Sequence, residues 1–132
     1  MYRSQSKRVF ATCLAIFLLS GCDDPVAKKD ATTKQALIGR WTVQLTEPQK
    51  GAVTLLQAAN DGSFQWQHEA NNYAGEWFVT AGLLKLLVKN EDGKPLANSD
   101  FGYFTCRVAN MQEQGFSCVN DIERKTWAFK RH

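Results

Sequence analysis

From Gly39 onward, apolar and polar residues alternate in short stretches that are separated by turn-forming residues. In the first stretch, Trp41, Val43 and Leu45 alternate with threonine and glutamine, and this period of two is typical of a half-buried strand. Turn signals such as Asn60-Asp61-Gly62 recur at short intervals along the rest of the chain. The pattern predicts an all-β domain of about eight short antiparallel strands.

Short turns between successive strands favour pairing of neighbours in sequence, which predicts a small up-and-down barrel. Adjacent residues of a strand point to opposite faces, yet several adjacent pairs are both apolar. These pairs are Trp77-Phe78, Leu83-Leu84, Leu86-Leu87 and Tyr103-Phe104. A two-layer β-sandwich would cover both faces of such strands and is the alternative architecture.

Two short motifs resemble those of lipocalin-like barrels. Gly39-Arg40-Trp41 is similar to the Gly-x-Trp opening of that family, and Lys130 or Arg131 is similar to the arginine that covers this tryptophan. The resemblance implies a barrel with an interior site for a small apolar ligand. Residues 61–86 also resemble the meander of META-type bacterial envelope domains.

The first 21 residues have the organisation of a signal peptide. A positively charged head that contains Arg3, Lys7 and Arg8 precedes residues 9–19, which are uncharged and mostly apolar. This apolar run is shorter than the ~20 residues that a membrane-spanning helix needs, and it has the length of a signal-peptide core. An uncleaved membrane anchor is the alternative interpretation.

Leu19-Ser20-Gly21-Cys22 resembles the lipobox of bacterial lipoproteins. The resemblance implies cleavage after Gly21, a diacylglyceryl group on the Cys22 sulfur and an acylated amino terminus. Several acyl chains, such as palmitate, anchor a protein far more firmly than one chain does. Asp23 is similar to the residue that keeps enterobacterial-type lipoproteins in the inner membrane. We therefore expect a periplasm-facing lipoprotein, with a signal peptide at 1–21, a lipidated terminus and tether at 22–37, and a barrel at 38–132.

The net charge of +3 is concentrated at the amino end, since three of the 16 basic residues precede the first acidic residue, Asp23. The remaining basic residues are matched in number by the 13 acidic residues. The folded part therefore lacks the basic stripe that nucleic-acid binding requires, and we expect no nucleic-acid partner.

Cys106 and Cys118 are the cysteines expected in the folded domain, because Cys13 lies in the signal peptide and Cys22 carries lipid. Both lie in strand-like segments on either side of a turn, in a compartment that permits oxidation. The spacing predicts a disulfide across a hairpin. There is no CxxC pair and only two histidines, so we expect no metal site and no cofactor.

The sequence contains no GxSxG, HExxH, P-loop or GxGxxG motif, so we do not expect an enzyme. His68 is best interpreted as a hydrogen-bonded histidine at the barrel rim, with ligand contact as the alternative. Glu69 and Glu76 are interpreted as exposed strand-end charges, although a pair of carboxylates can act in glycoside hydrolysis.

The expected function is a non-enzymatic protein-binding module, either an inhibitor or immunity factor or an accessory subunit of an envelope system. A lipocalin-like carrier of a small apolar ligand is the alternative. Residues 90–100 and the Trp77-Phe78 pair are the expected contact surface. The candidate binding residues are His68, Trp77, Phe78, Asp92 and Lys94.

Lipidation at Cys22 is tested by metabolic labelling with a palmitate analogue. The wild-type chain is expected to incorporate the label, and Cys22→Ser is expected to lose it, because the serine hydroxyl is not the acceptor of the diacylglyceryl group. Equal labelling of the two chains contradicts the lipoprotein assignment.

Overall fold

The computed structural model of the protein describes residues 24–132. A helix, α1 (Pro25–Leu37), precedes nine strands. The strands are β1 (Gly39–Glu47), β2 (Val53–Ala58), β3 (Ser63–His68), β4 (Asn71–Thr80), β5 (Leu83–Glu91), β6 (Lys94–Pro95), β7 (Gly102–Gln112), β8 (Gly115–Asn120) and β9 (Lys125–Arg131). A single 3-10 turn, Asn98–Asp100, lies between β6 and β7.

Eight of the strands close into an antiparallel barrel. Around the ring the order is β1, β2, β3, β4, β5, β7, β8 and β9, and β9 pairs again with β1. The short strand β6 pairs with β5 and lies outside the ring. The predicted up-and-down barrel is confirmed, and the alternative of a β-sandwich is wrong because one continuous sheet encloses the core.

The doubly apolar pairs place one residue inside the barrel and one outside. Trp77, Leu84 and Leu86 are buried in the core, whereas Phe78 and Tyr103 are 36% and 65% exposed. Alternation along the strand therefore leaves apolar side chains on the outer wall, where residues 24–132 provide no second layer. The full core comprises Leu37, Trp41, Val43, Leu56, Ala58, Phe64, Trp77, Leu84, Leu86, Cys106, Phe116, Cys118 and Phe129.

The segment that the sequence predicts to be a tether contains α1, a helix of 13 residues. Asp24 caps it by accepting a hydrogen bond from the Val26 amide at 3.0 Å. The Asp30 carboxylate accepts hydrogen bonds from the amides of Ala81 and Gly82, at 2.7 and 2.9 Å, in the β4–β5 turn. These contacts hold the helix against one end of the barrel, called here the closed end.

The closed end is built around Trp41 at the start of β1. Its indole N–H donates to the Leu37 carbonyl at 2.8 Å, and the Arg131 guanidinium lies 4.0 Å from its ring centroid. Arg131 also donates to the carbonyls of Ala36 and Ile38. The basic residue that covers the tryptophan is therefore Arg131, as in the lipocalin-like pattern.

Gly39 is required at its position by this cover. Its φ of +135° is a conformation that other residues rarely adopt, and a Cβ atom there would lie 2.9 Å from the Arg131 guanidinium. In the Gly-x-Trp motif, the glycine thus lets the backbone turn sharply after the helix, and the tryptophan seals the barrel.

Cys106 on β7 and Cys118 on β8 form the predicted disulfide. Both side chains face the interior, with exposures of 1% and 0%. The bond crosslinks neighbouring strands within the core, and the disulfide prediction is confirmed.

Cys22, Asp23 and the predicted signal peptide lie outside the described residues. Within the described part of the chain, no helix is both long enough and apolar enough to span a membrane.

Replacing both disulfide cysteines (Cys106→Ala with Cys118→Ala) is expected to lower the free energy of unfolding by roughly 3 kcal/mol, the entropy of closing so short a loop. Urea unfolding of the wild-type protein and of the variant, both without reductant, measures the difference. An unchanged midpoint contradicts a stabilising role for this bond.

Arg131→Ala is expected to lower the free energy of unfolding by about 2 kcal/mol, because it removes two charge-assisted hydrogen bonds and the cover of Trp41. Arg131→Lys should recover little of this, since an ammonium lacks the planar fork. The neighbouring Lys130→Ala is the matched control, with an expected change within about 0.5 kcal/mol. Equal losses for Arg131→Ala and Lys130→Ala contradict the role of Arg131.

Candidate functional site

The barrel is open at the end opposite α1, where the β1–β2, β3–β4 and β8–β9 turns and the β5–β6 hairpin lie. This opening, called here the mouth, contains two cavities of about 370 and 280 Å³. Apolar side chains contribute most of the inward-facing lining. They are Val43, Leu45, Trp66, Tyr73, Val88, Phe104 and Trp127.

An aromatic cluster crosses the mouth from β3 to β9. The ring centroids of Trp66 and Phe104 are 5.1 Å apart, and those of Phe104 and Trp127 are 4.8 Å apart. Both contacts are edge-to-face, the arrangement that aromatic quadrupoles favour. His68 extends the cluster at 5.8 Å from Trp66.

Two polar groups beside this cluster, on Trp66 and Thr54, are already paired. The Trp66 indole N–H donates to the Thr54 hydroxyl at 2.9 Å, and that hydroxyl donates to the Val43 carbonyl at 2.9 Å. The pairing fixes the Trp66 ring and leaves its apolar edges toward the cavities. The mouth is therefore suited to an apolar group and not to a ligand that requires many hydrogen bonds.

Below the mouth the interior is filled by side chains. Trp41 packs edge-to-face on Phe116 with centroids 5.1 Å apart, and Phe116 stacks on Phe129 at 4.5 Å. Trp41 and Phe129 are each 1% exposed. The two mouth cavities are therefore confined to the half of the barrel nearer the mouth.

Three of the predicted binding residues lie at the open end. His68 lines both cavities, and Asp92 and Lys94 lie in and beside the β5–β6 turn. The Asp92 carboxylate accepts from the Asn72 amide at 2.8 Å, while the Asp92 amide donates to the Asn72 carbonyl at 2.7 Å. Asp92 therefore holds the hairpin against β4, and Lys94 is exposed.

Trp77 does not contribute to a contact surface, contrary to the expectation from the sequence. Its side chain is 2% exposed near the closed end, and its indole N–H donates to the Ala59 carbonyl at 2.9 Å. The inward position of this residue in β4 is the physical reason. Phe78 points outward. It lies four residues beyond Ala74, which pairs with Asn90, so Phe78 is about 13 Å along β4 from the position of Asn90.

Charges of both signs surround the mouth. Glu69 and Lys125 line the larger cavity, and Lys125 lies 3.6 Å from Glu123. In the β8–β9 turn, the hydrogen bond from Arg107, together with its positive charge, holds the pKa of Asp121 below its usual value. The rim is thus polar and close to neutral around an apolar centre.

The sequence interpretation missed Trp66, Phe104 and Trp127 as site residues. Alternation in β3, β7 and β9 places each on an inner face, which was a usable signal. Their meeting at one end depends on the register of strands that are distant in sequence, and local patterns do not fix that register.

Within residues 24–132, no three side chains of His, Cys, Asp or Glu lie close enough together to hold a metal ion. The titratable groups that line the larger cavity are His68, Glu69 and Lys125.

No family model, curated protein or solved structure matches the chain. The lipocalin-like character of the fold therefore depends on its own geometry, namely the closed eight-stranded barrel, the Gly39–Trp41 opening and the arginine over the tryptophan.

Proposed function

We propose that the protein is a lipid-anchored, non-enzymatic protein of the bacterial envelope that binds another protein through the mouth and the β5–β6 hairpin. The observation that supports this function is an aromatic-lined, concave opening at the end of the barrel opposite α1. Since α1 follows Cys22 in the chain, an anchor at Cys22 would leave this opening directed away from the membrane.

The shape of the mouth favours a protein partner. A carrier site usually encloses most of its ligand, whereas the filled lower half of this barrel leaves a small molecule partly in water. An apolar centre inside a polar rim is the composition of a protein interface, and tryptophan and tyrosine are enriched in such interfaces. In this proposal, a side chain of the partner enters the mouth and its neighbours meet the rim charges.

Anchoring strengthens a modest interface. A lipid at Cys22 confines the domain near the membrane and raises its effective concentration for partners held there. Asp23 supports placement in the inner membrane, facing the periplasm. An inhibitor or immunity factor, or an accessory subunit of an envelope machine, fits such an arrangement.

A carrier of a small apolar ligand is the second candidate. The mouth cavities, of about 370 and 280 Å³, lie near the lower end of the range for small-molecule sites, and the barrel is lipocalin-like. This function would use the same aromatic cluster as the protein-binding function.

The protein-binding function is tested by capture from an envelope extract, followed by purification of the captured protein and direct titration. The full chain should bind that protein with one-to-one stoichiometry. A rim variant, His68→Ala with Lys94→Glu, is expected to weaken binding about tenfold or more, since it removes contacts at the centre and reverses a charge. Phe78→Ser, on the outer wall, is the matched control and should bind normally.

Retention of the partner by the rim variant and its loss in Phe78→Ser would contradict binding at the mouth. Titration with the fluorescent probe N-phenyl-1-naphthylamine separates the two candidates. Protein binding predicts no saturable uptake of the probe at micromolar concentration. Saturable uptake that disappears in Trp127→Ala would replace the proposal with the carrier function.

A further inference from the structure

A second concavity, of about 700 Å³, lies on the outer wall of the barrel over strands β1 to β4. It is called here the outer groove. Outward-facing residues of these strands line it, together with the β5–β6 hairpin at one side and His132 at the other, and the inward-facing Trp66 and Tyr73 also border it. Its polar lining residues are Arg40, Gln57, Gln65, Gln67, Asn72, Asn90 and His132.

The strand register arranges these polar side chains in a row. Arg40 lies opposite Gln57, Gln57 opposite Gln65, Gln65 opposite Ala74, and Ala74 opposite Asn90. Neighbouring strands are about 4.8 Å apart, so the row extends about 19 Å across the sheet. A paired sheet holds these positions rigidly, which a loop would not do.

The side chains of this row have unused hydrogen-bonding capacity. Among residues 24–132, no hydrogen bond or ion pair engages the side chains of Arg40, Gln57, Gln65 or Gln67. Each glutamine offers two donors and one acceptor oxygen, and Arg40 offers five donors. The residues that line the outer groove include no aspartate or glutamate, and the basic side chains Arg40 and His132 lie on the same side.

We propose that the outer groove binds an acidic oligosaccharide. Sugar hydroxyls both donate and accept, as carboxamides do, so a chain of sugar rings along the row would pair with successive glutamines. The Arg40 fork would take a carboxylate of the chain through two parallel hydrogen bonds. This inference goes beyond the protein-binding function and uses a different surface of the barrel.

An extended peptide fits the outer groove less well. Peptides that bind to sheets usually add a strand to a free edge. Strands β1 to β4 are each paired on both sides, so their backbone offers no ladder for a further strand. Recognition in the outer groove must therefore use side chains. Those available are mainly carboxamides, together with the Arg40 guanidinium, the His132 imidazole and the apolar Leu55.

The test is a calorimetric titration of the full chain in a detergent without a sugar headgroup. Three probes of four units each are compared: tetragalacturonate, neutral tetra-N-acetylchitotetraose (called here chitotetraose) and the acidic peptide tetraglutamate. Tetragalacturonate is expected to bind one-to-one and about tenfold or more tighter than the other two, since only it combines hydroxyls with carboxylates.

Matched variants locate the site. Gln57→Ala with Gln65→Ala, and separately Arg40→Ala, should each weaken tetragalacturonate binding about tenfold, because these exposed side chains make the proposed contacts. Gln49→Ala with Gln114→Ala removes two carboxamides elsewhere, Lys50→Ala removes a positive charge elsewhere, and both variants should bind normally. Thermal unfolding should be unchanged in all of them, which separates lost binding from lost folding.

Absence of tetragalacturonate binding overturns the proposal. If tetraglutamate binds equally well, charge alone is recognised. If chitotetraose binds equally well, the carboxylate is not recognised. Either result also overturns the proposal. Loss of binding in the rim variant, His68→Ala with Lys94→Glu, with no loss in the Gln57/Gln65 variant, places the sugar at the mouth and contradicts the outer groove.

Discussion

The packing of Arg131 on Trp41 is the interaction on which the architecture depends. It joins the first and last strands at the seam of the barrel, and through the carbonyls of Ala36 and Ile38 it ties α1 to the same point. Asp30 adds a second attachment at the β4–β5 turn. Because this end is sealed by the helix and filled by aromatic rings, the concavity that the aromatic cluster lines lies at the opposite end.

Period-two alternation then gives the same strands two different surfaces. On β3, Trp66 turns its ring into the mouth while Gln65 and Gln67 face the outer groove. On the inner side, the Trp66 indole and the Thr54 hydroxyl are already paired. On the outer side, Arg40, Gln57 and Gln65 have hydrogen-bonding groups that are free within the described chain. One sheet thus carries two candidate recognition surfaces of opposite chemistry, and the disulfide between β7 and β8 lies in the wall away from the outer groove.

Local sequence patterns predict the strands, the closed meander and the disulfide, because each depends on alternation, turn residues or spacing. The basic residue over Trp41 is implied only by the lipocalin-like resemblance, which leaves Lys130 and Arg131 as alternatives. Local patterns do not predict α1, whose residues are mostly polar. The Asp30 carboxylate, which accepts hydrogen bonds from amides of the distant β4–β5 turn, and one buried leucine, Leu37, hold it in place. Alternation requires that either Trp77 or Phe78 face inward but does not decide which one. The aromatic cluster of the mouth depends on register between strands far apart in sequence, so its members are recognisable as core residues and not as a site.

The central claim is that the barrel is sealed at the Trp41 end and open at the Trp127 end. Hydrogen exchange of the indole N–H groups, followed by nuclear magnetic resonance in deuterated water, tests it directly. The Trp41 indole is buried and bonded to the Leu37 carbonyl, so it should remain protonated long after the Trp127 indole at the mouth has exchanged. Exchange of the Trp41 indole as fast as that of Trp127 would contradict the sealed end, and equal protection of Trp127 would contradict the open one.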